Sequence, residues 1–402
     1  MVSLISNKSQ TQNLRLVLKL VLVIVGVPTI WYFFDEPWRW LEEYKWSENC
    51  NVFRGKWVPF PAGPLYRNST CPEIFDQQNC MKYGRLDIEF LKWRWKPNQC
   101  ELPVFDAWQF LELVRGKSIA FVGDSVGRNQ MQSLMCLLAT AANPSNLTSM
   151  KDSKSRHWHY QDYNFTIASF WSPYLVRAKD ISRGNTTYNR LVNLYLDEPD
   201  PDWASKIEAF DYVIISAARW FFGPQMYSLK NKTIGCFWCQ SNDTSNNLSM
   251  YYGYREAFKT SFETLIRLEN FKGVTFLRAL SPAHFENGEW DKGGSCPRTK
   301  PVSEGSVRLS EPEMEMYTIQ KDAIINAQRR GKNRGLEFQL IDATSAMLVR
   351  PDGHPNYYGH WPSEKKTIAD CVHWCLPGPI DTWNEFLFHM LKILMKKKKI
   401  ES

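Results

Sequence analysis

The sequence lacks several features that would place it in familiar protein classes. None of its ten cysteines precedes Cys50. Cys236 and Cys239 are spaced like a redox or zinc pair, but no second closely spaced Cys/His pair of the zinc-site type accompanies them. We therefore predict no metal site and no bound cofactor.

The chain also lacks a base-stacking motif, a basic stripe and an internal repeat. Its net charge is +7, but the run Lys396 to Lys399 supplies four of those charges. We interpret residues 392–402 as a solvated Lys-rich tail. This excludes nucleic acid as a predicted partner.

An apolar segment, Leu14 to Phe34, is long enough to span a bilayer and is interrupted only by Arg15 and Lys19. No small-residue cleavage site follows it, and its N-terminal flank is basic. We predict a signal anchor at residues 14–34 with residues 1–13 in the cytosol, followed by a stem at 35–48. A cleaved signal peptide is the alternative.

Two features place the body of the chain in an oxidising lumen. All the cysteines lie beyond the apolar segment, in clusters that suit disulfides. Glycosylation sequons are also dense for a cytosolic protein. They occur at Asn68, Asn146, Asn164, Asn185, Asn231, Asn242 and Asn247.

The part beyond the stem divides into two regions. Residues 49–103 are rich in Cys and Trp and show little periodicity, so we expect cross-links to hold them against the main domain. Residues 104–391 alternate between strand and helix patterns, which predicts an α/β fold: a parallel sheet sandwiched by helices. The strand candidates are Ile119–Val122, Tyr212–Ser216, Val274–Leu280 and Phe338–Ile341, and the helix candidates are Asn129–Thr140, Tyr254–Glu269 and Glu311–Arg329.

Ser125 is the leading candidate for a nucleophile. It follows a short apolar strand pattern that ends at Gly123, and it precedes a helical pattern. A helix N-terminus at this turn would supply N–H groups that can hold an oxyanion. Capping of the helix by Asp124 or Ser125 is the alternative role.

A hydroxyl becomes a useful nucleophile only beside a base. Far along the chain, Asp370 stands three residues before His373. An acid and a histidine in this relation can act as orienting carboxylate and base. We therefore predict that folding brings His373 to Ser125, although a lone histidine in a polar loop is often only a surface residue.

The motifs resemble those of a known family. Residues 50–57 and 93–95, the stretch Phe121 to Ser125 with Arg128 to Gln130, and the stretch Asp370 to Gly378 are similar to the plant trichome-birefringence-like polysaccharide O-acetyltransferases. These are Golgi type II membrane proteins with a catalytic domain of the SGNH/GDSL hydrolase type, a Rossmann-like fold. The resemblance implies a Ser125–His373–Asp370 triad and an acetyl-serine intermediate.

The resemblance also implies an oxyanion site around Gly123 and Asp124, where the Ser125 N–H, with Arg128 or Asn129, would hold the charge. Arg128 and Asn129 can equally be packing residues of the helix. Many relatives carry an Asn in the region where this chain has Ser216 to Phe221. Ser216 is then the expected side-chain donor, and its hydroxyl can still donate.

Three stretches, Ser216 to Pro224, Tyr251 to Arg255 and Ser281 to Trp290, look most like the xyloglucan-acetylating branch, with mannan- and xylan-acetylating enzymes as alternatives. The seventeen tryptophans and seventeen tyrosines suit stacking on sugars, although most such rings serve packing. The predicted substrate contacts are Arg219, Trp220, His284 and Trp374. Arg219 can instead be an ion-pair partner, and His284 can instead order its loop.

Cys371 and Cys375 flank His373, so disulfides from them would fix the base in place. We expect their partners to be Cys296 and one of Cys236 or Cys239, although spacing does not give the connectivity.

The implied partners are a polysaccharide acceptor, an acetyl donor and the Golgi membrane. The donor is either acetyl-CoA or a donor relayed by an acetyl-supplying membrane protein. An acetylesterase that uses water on the same triad, and a non-catalytic binder of wall polysaccharides, are competing functions.

Overall fold

The computed structural model describes residues 50–148, 154–182, 190–238, 246–364 and 368–401. The predicted cytosolic tail, signal anchor and stem, the sequons at Asn185 and Asn242, and Cys239 lie outside these residues. Within the described ranges, no helix combines the length and the apolar character needed to cross a membrane.

Strands and helices alternate over much of the chain. The strands are β1 (Gly55–Pro59), β2 (Trp93–Pro97), β3 (Ser118–Gly123), β4 (Ser145–Asn146), β5 (Ser155–Tyr160), β6 (Phe165–Trp171), β7 (Val176–Asp180), β8 (Val192–Pro199), β9 (Tyr212–Ser216), β10 (Gln225–Leu229), β11 (Lys232–Phe237), β12 (Val274–Arg278) and β13 (Glu337–Ile341). The helices are α1 (Ala107–Leu113), α2 (Ser125–Leu138), α3 (Pro201–Ala204), α4 (Met250–Arg267), α5 (Glu311–Gly331), α6 (Thr344–Leu348) and α7 (Asp381–Glu401).

The central sheet has the order β13-β12-β9-β3-β6-β5-β4. Strands from β13 to β6 are parallel, as predicted, but β5 and β4 pair antiparallel at one edge. The predicted parallel sheet is therefore confirmed for β13 to β6 and wrong for the β5 and β4 edge. The reason is local: only Gln161 to Asn164 separate β5 from β6, too few residues for a crossover.

Strand β3 lies at the switch point of this sheet. The chain returns to β6 on one side of β3 and to β9 on the other. In open α/β sheets, a crevice forms at the carboxyl ends of the strands at such a point. The turn that carries Ser125 follows β3 directly, so the topology places that serine at the crevice.

Helices pack on both faces of the sheet. Ala120 and Val122 of β3 belong to a buried cluster with residues of α4 and α5. On the opposite face, Phe165 of β6 packs against Phe110 of α1, which in turn contacts Phe388 of α7. Because strand side chains alternate between faces, one apolar strand can serve both layers.

Two smaller sheets were not predicted. Strands β1 and β2 form an antiparallel pair, and a four-stranded sheet has the order β11-β10-β8-β7. Disulfides join the N-terminal region to the main domain, which confirms the expected cross-links. Two bridges do so, Cys71–Cys136 and Cys80–Cys375, while Cys50–Cys100 closes the N-terminal region on itself.

The predicted central elements exist, with shifted ends. Helix α2 begins at Ser125 rather than Asn129, because the Asp124 carboxylate caps its N-terminus. The predicted Lys-rich tail at 392–402 is helical where the structure describes it: α7 continues to Glu401, residues 397–400 are exposed, and Lys392 is buried.

Candidate active site

The turn that presents Ser125 depends on Gly123. Its φ is 147°, and a Cβ added there would lie 1.7 Å from the carbonyl oxygen of Ser216 on neighbouring β9. No other residue fits this combination of conformation and contact. Strand β3 can therefore turn sharply into α2 while remaining packed on β9.

The Asp124 carboxylate stabilises the turn through three hydrogen bonds from backbone N–H groups. One carboxylate oxygen accepts hydrogen bonds from the N–H groups of Val126 and Gly127, and the other accepts from the N–H of Ala218. The carboxylate is buried. Ser125 is the first residue of α2, where backbone N–H groups have no partner within the helix.

The structure brings the three predicted catalytic residues together. His373 Nε2 lies 2.7 Å from Ser125 Oγ, and His373 Nδ1 lies 2.8 Å from Asp370 Oδ2. The other Asp370 oxygen accepts hydrogen bonds from the N–H groups of Val372 and His373. Two backbone hydrogen bonds also tie Asp370 to Asn356.

The electrostatics of this trio set the protonation states. Burial raises the pKa of Asp370, but the adjacent His373 and the N–H donors outweigh it and hold that pKa at about 2. Burial lowers the pKa of His373, but the Asp370 charge outweighs this and the net shift is upward. The ionised Asp370 therefore keeps a proton on Nδ1, and Nε2 can accept the Ser125 proton.

Asn129 supports the loop of the base. Its amide nitrogen donates to the carbonyl of Trp374, and its amide oxygen accepts from the N–H of Trp374. Both amide atoms are thus engaged with the residue next to His373, which favours the packing role over the oxyanion role. Arg128 is half-buried, with its guanidinium 4.1 Å from the ring centroid of Trp171.

Ser216 does not supply an oxyanion donor, so that prediction is wrong. Its side chain is 1% exposed, and its hydroxyl accepts a hydrogen bond from buried Arg278. A Cβ on Gly127 of α2 would lie 2.9 Å from this hydroxyl, so Ser216 lies directly beneath the helix. The absence of a Cβ at Gly127 lets α2 approach β9 closely over this serine.

Sequence comparisons agree with this geometry. Residues 102–390 match the GDSL/SGNH-like acyl-esterase family found in Pmr5 and Cas1p, and residues 48–101 match the PMR5 N-terminal domain. The chain belongs to this acyl-esterase family. The predicted SGNH-like character of the main domain is therefore confirmed.

Relatives of the acyl-esterase chain cover most of its length. Trichome birefringence-like protein 20 of Arabidopsis thaliana is 50% identical over 348 residues, which is 86% of this chain and 72% of that protein. Xyloglucan O-acetyltransferase 4 of Populus trichocarpa is 40% identical, with 90% of this chain and 85% of that protein covered. Xyloglucan O-acetyltransferase 2 of Arabidopsis thaliana is also 40% identical, with 86% and 83% covered. The predicted family is thus confirmed.

The predicted substrate contacts near β9 have different environments. Arg219 forms an ion pair with Glu313 of α5 and donates to the carbonyl of Ser281, which favours the structural role. Trp220 is 42% exposed, and its ring meets Trp171 edge-on with centroids 5.5 Å apart. Trp171 of β6 pairs with Gly123 of β3. Both rings therefore lie at the same carboxyl end of the sheet as Ser125.

Two other predicted contacts are internal. Trp374 is fully buried and donates from Nε1 to Ser281 Oγ, so the prediction that it stacks on a sugar is wrong. His284 bonds His354 and the carbonyl of Leu348, which favours the loop-ordering role. Trp374 is predicted from its position beside His373, and His284 from the resemblance of the stretch that contains it. Neither observation says which way a ring faces.

Sequence reasoning missed His354. It is 2% exposed, stacks on Trp374 with centroids 4.1 Å apart, and bonds the carbonyl of His373. The available signal was the occurrence of Arg350, Asp352 and His354 within five positions, between the last strand and the C-terminal motif.

The disulfide prediction was half right. Cys371 pairs with Cys296, as expected, but Cys375 pairs with Cys80 of the N-terminal region rather than with Cys236 or Cys239. Cys236 is also disulfide-bonded. In the part of the chain that the structure describes, no group of three or more His, Cys, Asp or Glu side chains could hold a metal ion.

Proposed function

We propose that this protein transfers acetyl groups to hydroxyls of a hemicellulose, specifically side-chain sugars of xyloglucan, through an acetyl-serine at Ser125. The observation that carries the proposal is the bridge made by His373, which contacts both Ser125 Oγ and Asp370. Membership of the chain in the acyl-esterase family supports acyl transfer as the chemistry. The xyloglucan O-acetyltransferase relatives support xyloglucan as the acceptor.

The first half-reaction loads the enzyme. His373 Nε2 takes the hydroxyl proton as Ser125 Oγ attacks the acetyl carbonyl carbon, and Asp370 stabilises the imidazolium that results. The tetrahedral intermediate then collapses: the bond to the donor's leaving group breaks, and His373 returns the proton to that group. Acetyl-Ser125 and neutral His373 remain.

The second half-reaction reverses these steps with a sugar. A sugar hydroxyl gives its proton to His373 Nε2, and its oxygen attacks the acetyl carbon. Collapse of the second intermediate releases the acetylated sugar, and His373 returns the proton to Ser125 Oγ. The same base thus acts twice, and the steps consume no other reagent.

The oxyanion of both intermediates needs donors close to Ser125. The N–H of Ser125 belongs to the first turn of α2, where the helix dipole also favours negative charge. The N–H groups of Val126 and Gly127 are engaged by Asp124. We therefore assign the hole to the Ser125 N–H, with the Arg128 guanidinium one helical turn away as the supporting cation.

An aromatic edge beside this site fits the acceptor. Trp220 makes T-shaped contacts with Trp171 and Tyr174 and is 42% exposed, so the exposed part of its ring can meet a ligand. Arg128 lies over the Trp171 ring. Aromatic faces suit the C–H faces of sugars, and the guanidinium suits hydroxyl oxygens.

Hydrolysis is the second candidate, because water can reach this site. The side chains of His373 and Asp370 remain 21% and 28% exposed. Water that replaces the sugar in the second half-reaction would release acetate and make the protein an acetylesterase. Transfer therefore requires that a bound glycan displace this water.

We place the reaction in the Golgi lumen, with the chain as a single-pass type II membrane protein. The disulfides support an oxidising compartment. The sequons at Asn146, Asn164, Asn231 and Asn247 lie on exposed residues, as glycosylation requires. The donor would be acetyl-CoA or an acetyl group relayed by a membrane protein.

The test uses the purified full-length protein with an acetyl donor and, in parallel, oligosaccharides of xyloglucan, glucomannan and xylan. Mass spectrometry should find acetylated xyloglucan and an acetylated peptide that contains Ser125. Ser125→Ala should lower both by on the order of 10⁴-fold or more, whereas Ser205→Ala, at an exposed serine of another helix end, should not. Acetate without acetylated sugar would establish the esterase, and full transfer by Ser125→Ala would refute the mechanism.

A further inference from the structure

Behind the proposed base lies a second pair of histidines in direct contact. His284 Nδ1 is 2.7 Å from His354 Nε2. The outer nitrogens of the pair both face carbonyl oxygens: His284 Nε2 is 3.0 Å from that of Leu348, and His354 Nδ1 is 2.7 Å from that of His373. The two rings therefore form a chain of three hydrogen bonds that ends on the backbone of the proposed base.

This chain imposes a proton count. A carbonyl oxygen only accepts, so both outer nitrogens must carry a proton to make their bonds. A neutral imidazole carries one proton, so two neutral rings would then face each other with two lone pairs. The 2.7 Å contact between His284 and His354 needs a third proton. Three protons on four nitrogens give the pair one positive charge.

A neutral pair would have to give up one contact. If His354 moves its proton to Nε2, the bond to the carbonyl of His373 is lost. If His284 moves its proton to Nδ1, the bond to the carbonyl of Leu348 is lost. Either change leaves a partly buried carbonyl without its donor, which is unfavourable.

Burial opposes a positive charge on the His284–His354 pair, whereas the neighbouring Trp374 ring favours it. Burial lowers the pKa of both His284 and His354. The Trp374 ring, stacked on His354 at 4.1 Å, favours an imidazolium. Most other charged groups around the pair are ion-paired with one another. These pairs are Arg219–Glu313, Arg350–Asp352 and His373–Asp370. The Arg85 guanidinium donates to the carbonyl of His354.

We propose that His354 and His284 are positioning residues for the base His373: His354 Nδ1–H holds the carbonyl of His373, and a proton shared between the two facing rings lets both outer bonds exist together. The inference rests on the proposed function, because it gives His373 the role of base. Neither histidine of the pair touches the reacting atoms.

The positional test replaces His354 by its two amide analogues. The amide nitrogen of Asn can take the place of Nδ1 and still donate to the carbonyl of His373, whereas that of Gln takes the place of Nε2. In the full-length protein, His354→Gln should lower kcat by roughly 10²-fold with little change in KM, the scale expected when a base is misplaced by about 1 Å. His354→Asn should lose about tenfold or less. His159→Gln, which removes a histidine of β5 bonded to Thr166, should keep the wild-type kcat.

The proton test uses histidine-selective ¹⁵N labelling and NMR. As the pH falls below the ordinary histidine value, the pair should gain one proton, and the two outer N–H signals, one of which the neutral pair lacks, should then be present together. In His284→Gln the glutamine amide can still donate to the carbonyl of Leu348, but the shared proton should be absent and His354 Nε2 should remain unprotonated.

Equal loss of kcat in His354→Asn and His354→Gln, with both folded by near-UV circular dichroism, would overturn the positioning role. Wild-type kcat in His354→Gln would do the same. A pair that holds only two protons at every pH where the protein is folded would overturn the shared proton. Failure of the proposed function looks different: wild-type protein would then leave Ser125 unmodified by a fluorophosphonate probe, while the NMR test would still read the pair.

Discussion

The nucleophile and the base of the proposed site are held by different kinds of structure. Ser125 sits between β3 and α2, where regular backbone and one glycine determine its position. Asp370 and His373 lie in residues 349–380, here called the base loop, whose described part contains short 3₁₀ turns and one isolated β-bridge. Two disulfides and several side-chain bonds to backbone, rather than a sheet, hold that loop.

Because the base loop lacks a supporting sheet, contacts from the N-terminal region help to hold it in place. Besides the Cys80–Cys375 bridge, buried Arg85 donates to the carbonyls of Asp352 and His354. Trp57 donates to the carbonyl of Ala346, just before the base loop begins. The N-terminal region therefore acts as a brace for the base loop, and a loop without regular structure can hold a base within hydrogen-bonding reach of Ser125.

The largest effect on the base side should come from Asp370→Asn. The amide of Asn would donate a hydrogen bond to His373 Nδ1, so the imidazole proton would lie on Nε2. A protonated Nε2 cannot accept the proton of Ser125. The kcat for acetyl transfer should fall on the order of 10⁴-fold, as expected for the wrong tautomer of a triad histidine. Asp180→Asn, at an exposed carboxylate of β7, should leave kcat unchanged.

The same variant carries a pH prediction. Because the Asp370 charge raises the pKa of His373, and the base works only when neutral, wild-type kcat/KM should fall as the pH drops through a value above 6.5. In Asp370→Asn that acid limb should move to lower pH, since burial alone lowers the pKa. An acid limb at the same pH in both proteins would show that His373 is not the group being titrated.

A smaller effect separates the bridge that holds the base loop from the bridge within the N-terminal region. Cys296→Ala/Cys371→Ala and Cys50→Ala/Cys100→Ala should each lose about 2–5 kcal/mol of unfolding free energy. Only the first pair should lower kcat, by roughly tenfold to 10²-fold, because Cys371 adjoins the proposed acid and base. Denaturant titration and kcat measured where both variants are folded would test this. Equal kcat losses would mean that the two bridges serve stability alone.

The sequence allowed the nucleophile side to be predicted well, because its signals are local. A strand pattern, Gly123 and a helix pattern follow one another within a few residues. Strand β9 begins and ends at the predicted residues. The central parallel strands followed from the same alternation. The antiparallel edge did not, because the short turn between β5 and β6 was not recognised.

The base side was predicted only as a pair of residues. The acid and histidine were found from their spacing and from family resemblance, but their supports come from distant parts of the chain. Cys80 lies 295 residues before its partner Cys375. The direction of the Trp374 ring and the contact of His284 with His354 likewise depend on packing that no local pattern encodes.

The smallest predicted effect concerns the carboxylate that links the two regions. One oxygen of Asp381, at the start of α7, accepts from the hydroxyls of Tyr66 and of Ser133 on α2, and the other accepts from the N–H of Gly378 in the base loop. Burial raises the pKa of Asp381 to about 7. Its contribution to stability is therefore complete below its unfolded value near 3.8 and is lost as the pH rises through about 7.

Asp381→Asn removes this dependence and also loses the bond from Gly378. The wild type should be more stable than the variant at pH 5 by roughly 1–2 kcal/mol, and the gap should narrow by pH 8. Glu385 titrates in the same range, so the difference between the two proteins, rather than either curve alone, isolates Asp381. A gap that widens with pH would mean that Asp381 is ionised in the fold, and charge-assisted hydrogen bonds would then link α2 and the base loop.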